Sequence, residues 1–256
     1  MAQLSPHPAD ASTTGRYRIE QMLGQGGMGA VYAALDTATG QRVAFKRLTA
    51  SASGANAALF EREYRTLASL RHPCIVEVYE YGSDAHGLYY TMELLEGADL
   101  SKLSPMPWRA VCACLRDVAS ILGVLHARRL VHRDLSPRNL WRTPDGRLKL
   151  LDFGALTPFG TAREVVGTPP FIAPEALAGQ PLDARTDLFA LGALGYWLVT
   201  GVHAFSTSSL GELARLHRRA PAAPHEARPR QVASRHSPQA PMAAGAACTC
   251  RCGTRA

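Results

Sequence analysis

The stretch His132-Arg133-Asp134-Leu135-Ser136-Pro137-Arg138-Asn139, with Asp152-Phe153-Gly154 after it, decides the reading of this 256-residue chain. Asn139 and Asp152 stand five and eighteen residues after Asp134. Three groups so placed suit phosphoryl transfer. One carboxylate holds a hydroxyl nucleophile in line with the phosphorus and takes its proton. Two hard oxygen ligands keep Mg²⁺ against nucleotide phosphates. Alone, Asp-Phe-Gly is an ordinary turn; the spacing and the flanking motifs give it weight.

Upstream, Gly24-Gln25-Gly26-Gly27-Met28-Gly29-Ala30-Val31 sits between two apolar runs. A lone G-x-G-x-x-G also fits a dinucleotide site, but that motif opens a helix. Here Ala30-Val31-Tyr32 continues as strand, so the glycines belong to a hairpin that folds closely over phosphates, with Val31 covering a base. Lys46 ends the apolar run Val43-Ala44-Phe45 fifteen residues after Val31, within reach of the α- and β-phosphates. That role needs a carboxylate on the next helix. Glu63 is the candidate, and Glu61 falls on a different helix face.

Hydrophobic periodicity gives the elements around these motifs. Strands are expected over 17–23, 30–34 and 41–48, then a helix over 57–70 ended by His72-Pro73. Two strands, 74–81 and 88–94, join through an 82–87 turn, and a long helix covers 108–128. The most apolar stretch, Leu188 to Val199, is too short to span a bilayer and reads as a buried helix. No basic start with an apolar run and cleavage site is present, which leads to the expectation of a soluble, cytoplasmic protein without membrane contact.

The net charge of +7 does not point to nucleic acid. From Ser206 onward, eight Arg stand against Glu212 and Glu226, so the tail carries +6 and the rest about +1. Cys74, Cys112 and Cys114 lie in apolar surroundings and are expected to be buried or half-buried. Cys248-Thr249-Cys250-Arg251-Cys252 lacks the spacing and distant ligands of a zinc site. Residues 1–16 and 217–256 are poor in large apolar side chains and are expected to be disordered.

With these motifs in this order, residues from about Tyr17 to Phe205 resemble the protein kinase family, specifically the eukaryotic-like serine/threonine kinases of bacteria. The resemblance implies an α+β, two-lobed fold: a β-rich N-lobe over 17–97 and a mainly helical, partial C-lobe over 98–216. It implies ATP in the cleft, held by Leu23, Gly24, Gly26, Gly27, Gly29, Val31, Ala44, Lys46 and Leu140. Met92 lies at the gatekeeper position, the Glu93 and Leu95 backbones meet the adenine, and Asp99 lies near the ribose. Asp134, Lys46, Glu63 and Ser136 are the implied catalytic set; Asn139 and Asp152 hold Mg²⁺, with Mn²⁺ as the alternative ion. Protein Ser/Thr hydroxyls are the implied substrates, with self-association for autophosphorylation.

The segment Gly167-Thr168-Pro169-Pro170-Phe171-Ile172-Ala173-Pro174-Glu175 resembles the end of a serine/threonine kinase activation segment, as does Pro137. Thr168 is expected to contact Asp134 and shape the substrate groove. Arg133 suggests control by a segment phosphate, with Thr161 the first candidate and Thr157 the second. Asp187 matches the Asp that anchors the catalytic-loop backbone.

Two departures stand out. Ser136 replaces the usual Lys two residues after the catalytic Asp, removing a cation near the γ-phosphate. After Leu210, Leu213 and Leu216, one short helix, the C-lobe pattern stops, and the Arg that normally pairs with Glu175 is missing. A marginally stable C-lobe is therefore expected. The rival expectations are a catalytically weak or inactive kinase-like binding module and a truncated fragment without function.

Overall fold

Alternation sets the first strands: Tyr17 and Ile19 are buried while Arg18 and Glu20 face solvent. The computed structural model describes residues 13–26, 29–49, 54–162, 164–205, 207 and 209–218. In chain order, β1 (Thr13–Thr14), β2 (Tyr17–Gln25), β3 (Gly29–Asp36) and β4 (Arg42–Leu48) lead into α1 (Gly54–Ser69), then β5 (Val78–Asp84) and β6 (Gly87–Glu93). These strands form one antiparallel sheet in the order β1-β2-β3-β4-β6-β5. One face carries Tyr17, Ile19, Ala34, Val43 and Phe45, with Phe45 stacked on Tyr89 at 4.6 Å. The other face packs Phe60 and Leu67 of α1 into a core that continues into the helical half.

After β7 (Ala98–Asp99) come α2 (Trp108–Ala127), β8 (Leu130–Val131), β9 (Leu140–Arg142), β10 (Leu148–Leu150), β11 (Thr157–Pro158) and β12 (Gly160–Thr161). Then follow α3 (Pro174–Leu177), β13 (Pro181–Leu182), α4 (Ala184–Thr200) and α5 (Leu210–Arg218). By length and mean hydropathy α2 meets the measure of a membrane span. Its apolar face is nevertheless spent on the core: Val111, Cys114, Val118, Ile121, Leu122 and Leu125 are buried and belong to the same cluster as Leu194 and Leu198 of α4.

The structure shifts several boundaries. The hairpin of β5 and β6 turns at Asp84–Gly87, later than the expected 82–87 turn, because pairing continues through Gly82 and Ser83. β5 begins at Val78 rather than Cys74, whose carbonyl instead accepts the Leu150 amide at 2.8 Å. Cys112 is exposed rather than buried, since two residues from Cys114 on a helix is the opposite side. α4 is not wholly buried: Leu188 and Val199 are 52% and 41% exposed. Structure also extends past both expected disorder boundaries, to Thr13 at one end and Arg218 at the other. Gly27, Arg163 and the cysteines at 248, 250 and 252 lie outside the described residues.

Candidate active site

The sheet brings the nucleotide-side residues together by register. Val31 on β3 lies opposite Gly24 on β2 and Lys46 on β4. On the next pair, Ala44 meets Met92 and Lys46 meets Tyr90. Gly29 is dictated by close approach, since a Cβ there would lie 2.2 Å from the Arg47 carbonyl oxygen. Gly24 and Gly26 stand in open space, and Leu23 is half exposed at the mouth of the hairpin. Leu140 is fully buried on β9, opposite Leu150.

Helix α1 presents Glu63 inward, with Leu67 one turn later in the core. Lys46 Nζ donates to both Glu63 oxygens, at 2.7 and 2.9 Å, and Tyr90 donates its hydroxyl to Glu63 Oε1 at 3.1 Å. Glu61, by contrast, pairs with Arg65 on the exposed helix face. Burial works against the Lys46 ammonium, but the negative charges of Glu63 and Asp152 outweigh it and hold the group above the ordinary lysine range. Asp152 thus acts on the same ammonium that Glu63 grips.

In the hinge, the Glu93 amide donates to the Glu77 carbonyl at 2.9 Å. Its side chain accepts from Lys149 at 2.5 Å, a tie between the hinge and β10 that sequence reasoning missed. The sign was there: Lys149 stands in an apolar strand, where a cation needs a partner. Asp99 caps the 3₁₀ turn at Leu100–Lys102, accepting from the Ser101 amide at 3.0 Å. Partial burial opposes its charge, yet Ser101 and Lys102 outweigh that and hold the carboxyl below its usual range.

The catalytic loop hangs from α4. Asp187, fully buried, accepts from the amides of His132 and Arg133 at 2.9 and 3.0 Å and from His126 Nε2 at 2.9 Å. Arg133 takes a left-handed backbone, φ 72°, which a non-glycine residue adopts only when its surroundings fix it. His132 packs edge-on against Phe153 at 5.1 Å, joining the loop to the Asp-Phe-Gly turn.

Asp134 is held from two sides. Its Oδ1 accepts from the Thr168 amide and hydroxyl at 3.0 and 2.9 Å, and its Oδ2 from Asn139 Nδ2 at 3.0 Å. Asn139 Nδ2 also reaches the Asp134 carbonyl at 2.9 Å, so its amide oxygen faces away from these donors and is available to a cation. Asp152 Oδ1 accepts from the Gly154 amide at 2.9 Å, and Oδ2 has no hydrogen-bond partner among the described residues. This donor set, one amide oxygen and one carboxylate oxygen, fits a hard divalent ion. Ser136, 3% exposed, carries a neutral hydroxyl, so no cation comes from that position.

The following segment leans on the same loop. Gly167 (φ 123°) lies so close that a Cβ would stand 2.6 Å from the Arg133 carbonyl oxygen. Arg133 and Arg62 donate to the carbonyls of Glu164 and Leu156. Thr157 is half-buried in β11, paired with Val131, and Thr161 is exposed in β12, paired with Pro181. Glu175 accepts from the Thr186 hydroxyl at 2.8 Å.

The family model for the protein kinase domain matches residues 17–240 of the chain. The chain is 34% identical over 227 residues to serine/threonine-protein kinase PknA of Mycobacterium tuberculosis, covering 82% of this chain and 53% of that protein. It is 35% identical over 210 residues to PknL of Mycobacterium bovis, 78% and 53%. With pkn2 of Myxococcus xanthus it shares 33% over 203 residues, 73% of this chain and 24% of the relative. The chain therefore spans about half the length of the first two relatives and a quarter of the third.

Proposed function

The chain belongs to the protein kinase family, among the serine/threonine kinases of bacterial type, and on that footing we propose that it transfers the γ-phosphoryl group of ATP to protein Ser and Thr hydroxyls. The observation that carries this reading is the Lys46 ammonium, gripped by Glu63 at 2.7 Å while Asp152 acts on the same charge. A binding module needs no such link between a phosphate-facing cation and a metal-facing carboxylate.

In this reading Lys46 steadies the nucleotide phosphates. Asp134, its carboxylate fixed by Thr168 and Asn139, orients the acceptor hydroxyl and takes its proton. Asn139 and Asp152 would hold Mg²⁺, which neutralises phosphate charge when bound. The hairpin glycines let backbone close over the phosphates, and Ala44, Met92 and Leu140 line the base. Autophosphorylation falls first on Thr161, which is exposed.

A second reading rests on Ser136: without a cation there, the chain binds nucleotide and transfers little. Incubation with γ-labelled ATP and a Ser/Thr peptide library, beside a Lys46→Met control, separates the two. Label on Ser or Thr in the parent alone supports transfer. Nucleotide binding with no label supports the module.

A further inference from the structure

Arg138 is the exposed residue of an otherwise covered loop. Every other residue from Val131 to Leu140 is buried or half-buried, and its neighbours Leu135 and Ser136 are 0% and 3% exposed. Its backbone is fixed. Pro137–Asn139 forms a 3₁₀ turn closed by the Asn139 amide on the Ser136 carbonyl at 3.1 Å. The next side chain, Asn139, is fastened to Asp134 at 2.9 and 3.0 Å. The Arg138 Cα therefore stands in a set position relative to the carboxylate that handles the acceptor.

Two other cations of the site are committed. Lys46 is taken by Glu63 and Arg133 by the Glu164 carbonyl. Among the described residues, Arg138 has neither a hydrogen bond nor an ion pair. The acidic groups next to it in function, Asp134 and Asp152, already have donors of their own. The Arg138 guanidinium is thus exposed and uncommitted, four residues after the carboxylate that would meet an acceptor hydroxyl.

We propose that Arg138 selects acceptor sequences by pairing with a carboxylate close to the acceptor hydroxyl, so that this chain favours acidic peptides. A guanidinium and a carboxylate match as a two-pronged, charge-assisted pair. An extended peptide advances about 3.3 Å per residue, so the partner sits within about three residues of the acceptor. The proposal rests on the kinase reading and names the substrate class of that site.

The test uses the full chain and matched Ser peptides flanked on either side by Glu, Gln or Lys. Turnover is measured with Mg-ATP, and binding by fluorescence anisotropy of the same peptides with Ala at the acceptor. The parent should favour Glu over Lys flanks by about fivefold, equivalent to ~1 kcal/mol. Arg138→Lys should keep the preference, Arg138→Gln should abolish it, and Arg138→Glu should reverse it. Circular dichroism checks each variant's fold, and Arg138→Gln stands in if Arg138→Glu does not fold. An unchanged Glu-to-Lys ratio in the variants overturns the proposal, as does an equal loss of kcat on every peptide. Equal binding of Glu and Lys peptides overturns it even without turnover. Acid-selective binding without turnover upholds it and counts against the kinase reading alone.

Discussion

Asp187 on α4 holds the Arg133 amide at 3.0 Å, and this bond keeps Arg133 in its left-handed backbone, φ 72°, one residue before the carboxylate that handles the acceptor. With the His132 amide and His126 on its other oxygen, Asp187 satisfies three donors from inside the core. The helix on which it rides thus sets the shape of a loop 54 residues earlier in the chain.

Asp187→Ala should leave those amides buried and unpaired, at a cost of about 1–3 kcal/mol for each lost partner. The melting temperature should fall by several degrees, and hydrogen exchange at His132 and Arg133 should accelerate more than in the β-sheet. Exchange unchanged at those two amides would show that the loop holds its shape without Asp187.

The Lys46–Glu63 pair gives a second expectation. Glu63→Gln removes one buried charge and leaves the ammonium with Asp152 as its remaining charge partner. Nucleotide orientation should suffer, with transfer falling at least about tenfold, which corresponds to ~1.4 kcal/mol. Because the folded Lys46 pKa lies above its unfolded value, its stabilisation is present below about pH 10.4 and is lost only as pH rises beyond that. The rate–pH profile should therefore show no fall from Lys46 between pH 6 and 9. Steady-state kinetics across that range checks both points.

The C-lobe carries a pH dependence of opposite sense. His217 packs edge-on against Phe205 and Phe189 at 4.6 and 5.2 Å, and both of its ring nitrogens are buried without a partner among the described residues. His203 stacks on Trp197 at 5.9 Å and meets Phe171 edge-on at 5.4 Å. Burial lowers both pKa values; Glu175 pulls that of His217 the other way without overcoming it. The folded state thus favours neutral rings. This contribution is whole above the unfolded value of about 6.5 and shrinks as pH falls below it, because the unfolded chain then binds protons that the folded chain refuses. The melting temperature should drop between pH 7.5 and 5.5, and the double variant His203→Phe, His217→Phe should flatten that drop. A parent melt independent of pH in this range would contradict it.

The Lys46–Glu63 pair and the Thr168–Asp134 contact were legible because their spacing is chemistry. Glu63 could be chosen over Glu61 from helix periodicity, and the paired partners Arg65 and Lys46 show why: one carboxylate faces water and the other the core. The strands of the sheet were readable from alternation and turn residues. Less legible were effects that depend on distant neighbours. The Lys149–Glu93 tie spans 56 residues, and no local pattern pairs them. The exposure of Cys112 and Leu188 depends on which helix faces find partners, and composition does not record that. The exposure of Arg138 is likewise a property of the folded loop, since every residue around it is covered.

The most direct test of the central claim is the intact mass of the purified chain before and after incubation with Mg-ATP, beside an Asp134→Asn control. Added phosphate masses are expected on the parent, located at Thr161 by peptide mapping, and none on the control. Equal masses in parent and control, whether both gain phosphate or neither does, would contradict the assignment of Asp134 as the group that directs transfer.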